Sequence, residues 1–251
     1  MLEVKNLYKS YKTNSIQYDV LKDISFEVEK GDFVAVMGPS GSGKTTLLNS
    51  ISHFIPFDKG EILLNGENMA KLKEDELANV RNEKLGFVFQ DFMLLDGLTV
   101  FENICLPQII AYKNIASMEA SANKLCEVFG ISHIKDKYPA EISGGEKQRT
   151  AVARALINNP LLILADEPTG NLDSKSSRAV IDSFIRAKDE LSATIFMVTH
   201  DSFSASFCDK VIVLEDGRIY KELIKKNGRS EFLDLLLETL KELGGDNNDN
   251  E

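Results

Sequence analysis

A chain of 251 residues with 43% apolar and 27% charged side chains can bury one large core and has ordinary globular composition, which excludes a fibrous or wholly disordered protein. Its net charge of −10 repels a phosphate backbone, and no segment gathers lysine and arginine into a stripe, so nucleic acid is excluded as a partner. Apolar stretches such as Leu161 to Ala165 and Val211 to Leu214 fall far short of the roughly 20 residues of a bilayer-spanning helix, and the charged start, Met1 to Ser10, lacks the apolar centre of a secretory leader; a cytoplasmic protein is expected.

The first third alternates apolar and polar residues, Leu2 and Val4, then Ile24, Phe26 and Val28, around the turn sequences Lys30-Gly31-Asp32 and Asn65-Gly66. That pattern predicts strands and hairpins. Phe33 to Met37 is instead an unbroken apolar run, as in a parallel strand buried on both faces. It leads into Gly38-Pro39-Ser40-Gly41-Ser42-Gly43-Lys44-Thr45-Thr46 and a helical stretch, Leu47 to Ser52. Glycines at this spacing let backbone N–H groups converge on a β-phosphate, and the helix N-terminus adds partial positive charge. Lys44 is expected to reach the β- and γ-phosphates, and the Thr45 hydroxyl to bind Mg²⁺. A glycine-rich turn is also a common connector, but the strand before it and the helix after it favour a phosphate loop.

From about Asp91 to Asn159 the period becomes helical, as in Met118 to Phe129 and Gly145 to Ile157, which predicts a helical lobe inserted in an α/β core. The core resumes with two buried-strand candidates, Leu161 to Ala165 and Thr194 to Val198, on either side of a helix around Ser177 to Glu190. The first of these strands ends in Asp166-Glu167, and the C-terminal ends of parallel strands are where open α/β sheets bind ligands. Asp166 suits Mg²⁺, directly or through water, and Glu167 suits a general base that polarises the attacking water. An acidic loop is the plain alternative for such a pair alone; the phosphate loop upstream decides against it. His200, after Phe196-Met197-Val198-Thr199, has a ring N–H able to meet a γ-phosphate or the water. His53 and His133 are read as structural. Cys105, Cys126 and Cys208 lack Cys-x-x-Cys spacing and are read as core or near-surface thiols. A strand pair brackets Glu215-Asp216-Gly217, and a last helix over about 231–243 places Phe232, Leu236, Leu240 and Leu243 on one stripe. Residues 246–251 are expected to form a disordered acidic tail. No internal repeat is present, so 1–245 is expected to hold a single cassette.

The stretch Ile142-Ser143-Gly144-Gly145-Glu146-Lys147-Gln148-Arg149 resembles the Leu-Ser-Gly-Gly-Gln signature of ABC ATPases, and other motifs of that family follow in order from Leu2 to Gly245. The resemblance implies an α/β fold with a P-loop NTPase core, a mostly parallel central sheet, an N-terminal antiparallel β subdomain and the inserted lobe at about 91–159. It implies hydrolysis of ATP with Mg²⁺ by a homodimer that forms in the ATP-bound state. Ser143, Gly144, Gly145 and Glu146 would then face the nucleotide of the other chain. A separately encoded transmembrane permease, attachment to the inner face of the cell membrane and no direct contact with the transported substrate are implied as well. Tyr11 matches the aromatic that stacks on adenine, with Tyr8 and Tyr18 as neighbours that compete for the register. Gln90 matches the glutamine that touches Mg²⁺ and moves with the transmembrane partner. Asp173, in Asn171-Leu172-Asp173, matches the loop that crosses the dimer interface, and His200 the switch histidine. Glu146 replaces the commoner glutamine, and its charge is expected to slow closure of the dimer.

Within the family, Gly86 to Leu95, Ala165 to Asp173 and Met197 to Asp201 resemble the MacB/LolD group of mechanical transmitters. Asp136-Lys137-Tyr138-Pro139, Lys147 to Thr150, and Phe232 to Leu237 with Leu243-Gly244-Gly245 resemble bacitracin-export (BceA-type) subunits, which implies a part in resistance to antimicrobial peptides. The alternatives are a MacB/LolD-like transmitter for lipoprotein or macrolide handling and a cell-division-type regulator of a wall hydrolase. An ABC protein acting on DNA or ribosomes would carry a long coiled coil or a second cassette, and neither is seen.

Overall fold

The computed structural model describes residues 1–13 and 16–246. The chain forms two compact units, one from Met1–Lys71 with the chain from Val198 onward, the other Leu72–Met197.

The first unit opens with β1 (Leu2–Thr13) and β2 (Ile16–Val28), then β3 (Phe33–Met37), α1 (Lys44–Ile51), β4 (Lys59–Leu64) and β5 (Glu67–Asn68). Strands β2-β1-β4-β5 make an antiparallel sheet. Its buried face carries Leu2, Val4 and Leu7 from β1 and Leu21, Ile24, Phe26 and Val28 from β2. The alternation slips by one residue at Val4/Leu7 and again at Leu21/Ile24. Asn6 and Asp23 are left-handed at these slips, with φ of 47° and 64°, and Asn6 Nδ2 donates to Asp23 Oδ1 at 2.9 Å. Two facing irregularities are thereby pinned to each other and add twist. Asn65-Gly66 forms the two-residue turn between β4 and β5 with both φ values positive, as its sequence predicts.

The second unit runs through α2 (Glu74–Glu83), β6 (Leu85–Phe89), α3 (Val100–Ile110), α4 (Ile115–Val128), α5 (Gly144–Leu156), β7 (Leu162–Asp166) and α6 (Ser174–Leu191), and ends within β8 (Ile195–Val198), whose last residue, Val198, is counted with the first unit. Its strands lie in the order β8-β7-β6, with β6 and β7 parallel. Helix α5 crosses β6 so closely that a Cβ on Gly86 would stand 2.4 Å from the Ala155 carbonyl oxygen. Cys105 on α3 and Cys126 on α4 are buried with Ile104, Ala122 and Val152, and burial pushes both thiols up to about 11. Cys208 is buried too.

Returning to the first unit, the chain adds α7 (Ser202–Ala205), β9 (Lys210–Glu215), β10 (Arg218–Ile224) and α8 (Arg229–Asp246). β9 pairs in parallel with β3 and antiparallel with β10 through a turn at Asp216-Gly217. Parallel pairs backed by helices, one antiparallel pairing at β9-β10 and a separate antiparallel sheet give the α/β class read from the sequence. The buried stripe of α8 is Phe232, Leu236, Thr239 and Leu243. Leu240, expected on that stripe, is only half-buried. At 100° per residue it stands at the stripe's edge, and Thr239 takes the centre with its hydroxyl bonded to the Leu235 carbonyl at 2.9 Å. Of the tail expected at 246–251, Asp246 ends α8 and the rest lies outside the described residues. No helix among the described residues is long and apolar enough to cross a membrane.

Candidate nucleotide site

In the first unit β3 delivers the chain to the phosphate loop. A Cβ on Gly38 would lie 2.1 Å from the Leu214 carbonyl oxygen of β9, so only glycine lets the chain leave the sheet here. Gly43, at φ 101°, is the N-cap of α1 and offers no side chain to the first N–H groups of the helix. Helices α3, α4, α5 and α6 are capped by Thr99, Asn114, Ser143 and Asp173. The uncapped start of α1 leaves its amides and dipole for an anion. Lys44 is buried with Nζ 2.9 Å from the carbonyl oxygens of Gly38 and Pro39, which holds the ammonium inside the loop. Ser42 Oγ is buried and has no hydrogen-bond partner, a polar atom that a phosphate oxygen would satisfy. Pro39, Ser40, Gly41 and Thr45 are exposed, and Thr46 is half-buried. These features fit a triphosphate.

The first unit also brings aromatic surface to this loop. Tyr11 on β1 faces Tyr18 on β2, with ring centroids 6.3 Å apart, and Lys9 Nζ lies 5.1 Å from the Tyr11 centroid. Two residues after Tyr18, the Val20 carbonyl oxygen comes to 2.9 Å from where a Gly43 Cβ would be. Tyr8 instead neighbours Lys59 of β4, whose Nζ is 6.0 Å from its ring centroid. At the end of β8, Thr199 N–H donates to the Val36 carbonyl at 3.1 Å. That bond sets exposed His200 at the end of β3 from which the phosphate loop departs.

In the second unit β6 and β7 pair with Phe89 opposite Asp166, so Asp166 ends its strand beside the residue that precedes Gln90. Glu167 has φ 46°, a left-handed backbone uncommon for a non-glycine residue and concentrated at functional sites. Its carbonyl accepts from Gly170 N–H at 3.0 Å, which closes the turn. Gln90 Nε2 donates to Asn171 Oδ1 at 3.0 Å, and Asn171 Nδ2 donates to Asp91 Oδ1 at 2.8 Å. In this unit the Gln90 amide oxygen and the Asp166 carboxylate are hard oxygens, a donor type that suits Mg²⁺, which keeps much of its shell as water and phosphate oxygen.

The signature forms the start of α5. Ser143 is its N-cap, and Glu146 Oε2 accepts from both Ser143 N–H at 2.8 Å and Ser143 Oγ at 2.6 Å, a reciprocal capping box. Glu146 Oε1 lies 3.3 Å from His133 Nε2. The Ser143 hydroxyl first, then its N–H and His133, hold the Glu146 carboxyl below its ordinary value against the opposing effect of burial. A Cβ on Gly144 would be 3.1 Å from Leu172 Cδ2, and one on Gly145 would be 3.2 Å from Ser176. The two glycines therefore admit the start of α6, where Asp173 caps the N–H groups of Lys175 and Ser176 at 2.9 and 3.0 Å.

Four residues to which the sequence reading gave no role of their own are tied to the site here. His133, read as structural, reaches the signature carboxylate. Asn171 binds Gln90. Fully buried Gln148 donates from Nε2 to the carbonyls of Phe89 at 3.1 Å and Pro168 at 2.8 Å, joining the ends of β6 and β7. Arg154 donates to the carbonyls of Phe92 and Met93, just beyond Gln90. A helical wheel flags Gln148, a polar residue on the face of α5 that carries Ala151, Val152 and Ala155; Asn171 was legible only as part of the loop Asn171-Leu172-Asp173, and His133 and Arg154 have no such signal.

The family model for ABC transporters matches residues 21–170. The chain is 49% identical over 249 residues to the ABC transporter ATP-binding protein YxdL of Bacillus subtilis, covering 99% of this chain and 96% of that protein. It is 48% identical over 250 residues to the bacitracin export ATP-binding protein BceA of Halalkalibacterium halodurans, covering 99% of each. Among solved structures, the dimeric bacterial ABC transporter cassette MJ0796 superposes with a TM-score of 0.82 at 37% identity, over 91% of this chain and all of that one. The same cassette in a post-hydrolysis state bound to ADP and phosphate gives 0.81 at 36% identity, with the same coverage. With a phosphate loop at the end of β3, an acidic pair at the end of β7 and a signature at the start of α5, the chain belongs to the ABC transporter family as one of its ATP-binding, ATP-hydrolysing subunits.

Proposed function

We propose that this subunit works as an ATP-driven homodimer beneath a separate permease, attached through it to the inner face of the cell membrane, and that the pair gives resistance to antimicrobial peptides of the bacitracin kind. The likeness to BceA across 99% of both chains supports the transport part. The dimeric state of the MJ0796 cassette supports the dimer. Apolar residues left exposed beyond Gln90, among them Met93, Leu95, Ile109 and Ile110, offer apolar contact area to a permease.

Within each site Lys44 and the first amides of α1 bind the phosphates, and Tyr11 stacks on the adenine. Thr45, Asp166 and Gln90 are the residues that would hold Mg²⁺. When bound, the ion neutralises charge that develops on the β- and γ-phosphates. Glu167 accepts the proton of the attacking water, His200 contacts the γ-phosphate, and Ser143 to Gly145 face the nucleotide of the other chain.

The left-handed turn at Glu167, directly after Asp166, is the observation that most favours this residue as the base. Glu167→Gln is expected to keep ATP affinity while lowering turnover about 100-fold or more, since it removes the base and keeps its shape. Light scattering should show an ATP-bound dimer that persists. Turnover near the wild-type rate would move the base to His200. Cells deprived of the chain are expected to lose bacitracin tolerance; unchanged tolerance overturns the peptide assignment and leaves the ATPase roles standing.

A further inference from the structure

Gln90 is not held by its own strand but by a neighbouring loop, and the bonds have a direction. An ionised carboxylate only accepts, whereas an amide donates from one arm and accepts on the other. Asp91 Oδ1 takes the N–H of Asn171 Nδ2 at 2.8 Å, which turns Asn171 Oδ1 toward Gln90. That oxygen takes the N–H of Gln90 Nε2 at 3.0 Å. Gln90 must then carry its own oxygen on the arm away from Asn171. Gly170 closes the arrangement from one side, since a Cβ there would lie 2.9 Å from Gln90 Nε2 and 3.1 Å from its Cδ. The residues after Asn171 are Leu172, against Gly144 of the signature, and Asp173, the cap of α6. One asparagine thus joins the glutamine to the segment that carries the signature contact.

We propose that Asn171 is a positioning residue, which fixes the Gln90 amide with its oxygen outward and ties that orientation to the loop 170–173. The proposal rests on the reading above in which Gln90 faces Mg²⁺. Displacement of the loop breaks the bond to Gln90 Nε2 and frees the amide to rotate, so the metal contact registers the position of the loop.

The test compares the full chain as wild type, Asn171→Ala, Gln90→Ala and the double variant. In ¹⁵N-labelled protein the Gln90 side-chain NH₂ pair, identified by its loss in Gln90→Ala, is expected to exchange slowly in wild type and rapidly in Asn171→Ala. Two metal titrations follow: Mg²⁺ dependence of hydrolysis at saturating ATP, and Mn²⁺ binding by electron paramagnetic resonance with a non-hydrolysable ATP analogue. Losing one orienting hydrogen bond is expected to weaken metal binding in Asn171→Ala by about five-fold in both. ATP affinity without metal should stay unchanged. The double variant should be no weaker than Gln90→Ala alone, because Asn171 acts through Gln90. A shift in Gln90→Ala without one in Asn171→Ala overturns the proposal and leaves the reading of Gln90 intact, even if Asn171→Ala melts at a lower temperature. No shift in either variant removes the metal-facing role of Gln90, and the proposal falls with it.

Discussion

Glu146 shows how one side chain can serve packing and function at once. Its carboxylate caps α5 through Ser143 and meets His133, and these partners keep it ionised below its ordinary titration range. A carboxyl depressed in the folded state adds stability that is present above its unfolded value of about 4.3 and is lost as pH falls through the lower folded value. Glu146→Gln removes this dependence while keeping an acceptor for the Ser143 N–H. Melting curves are therefore expected to show a stability gap between wild type and Glu146→Gln that is steady above about pH 5 and closes on acidification below about pH 4. A gap that is steady down to pH 3 would mean the charge contributes nothing to the cap. At this scale the sequence is informative where chemistry demands neighbours in the chain: Lys44 beside Thr45 after glycines, Asp166 beside Glu167 after an apolar run. His133 was illegible, and Asn171 was read only as part of the loop Asn171-Leu172-Asp173, because each acquires its partner from a residue far along the chain, met only after folding.

Among the elements, α5 does most to hold the segment around Gln90. Phe92 and Met93 are both left-handed, at φ 62° and 49°, and their carbonyls point at the Arg154 guanidinium, whose pKa burial lowers to about 10. Arg154→Met keeps the apolar stem and removes the donors of two carbonyls, one exposed and one part-buried, at a cost of about 1–2 kcal/mol in urea unfolding. Arg154→Lys is expected to recover only part of this, since an ammonium lacks the planar fork that reaches both oxygens. A loss below about 0.5 kcal/mol in Arg154→Met would show that the segment supports itself. The strands β3, β7 and β8 were legible as unbroken apolar runs because both their faces are covered. Helix α2 was not, since only Leu77 and Val80 of its ten residues are buried and two apolar positions give no period. β6 escaped because Gly86 interrupts its apolar run, and that glycine is required by the approach of α5 rather than by anything local.

At the scale of the whole molecule, the proposed dimer assigns the motifs of one chain to two different nucleotides. Lys44 serves its own ATP, whereas Ser143 serves the ATP bound by the other chain. Lys44→Ala is expected to abolish ATP binding, because it removes the ammonium that the Gly38 and Pro39 carbonyls hold inside the phosphate loop. Ser143→Arg is expected to spare ATP binding and block closure of the dimer. It also removes the cap of α5, a loss of about 1 kcal/mol, so melting and ATP affinity are measured first to show that the chain is folded. Each homodimer then has one defect in both of its sites, and both should be inactive. Mixing the two variants produces heterodimers in which one site collects both defects. The other site has an intact phosphate loop facing an intact signature. Turnover is expected to reappear on mixing, with Glu167→Gln mixtures as the control for exchange of chains. If both motifs served the same nucleotide within one chain, every site in the mixture would still carry one defect and nothing would return. Demonstrated exchange without recovery would therefore reject the trans arrangement, unless the two sites must fire together. ATP-dependent dimerisation by light scattering separates those outcomes, since obligate coupling of the sites still predicts a closed dimer at the intact one.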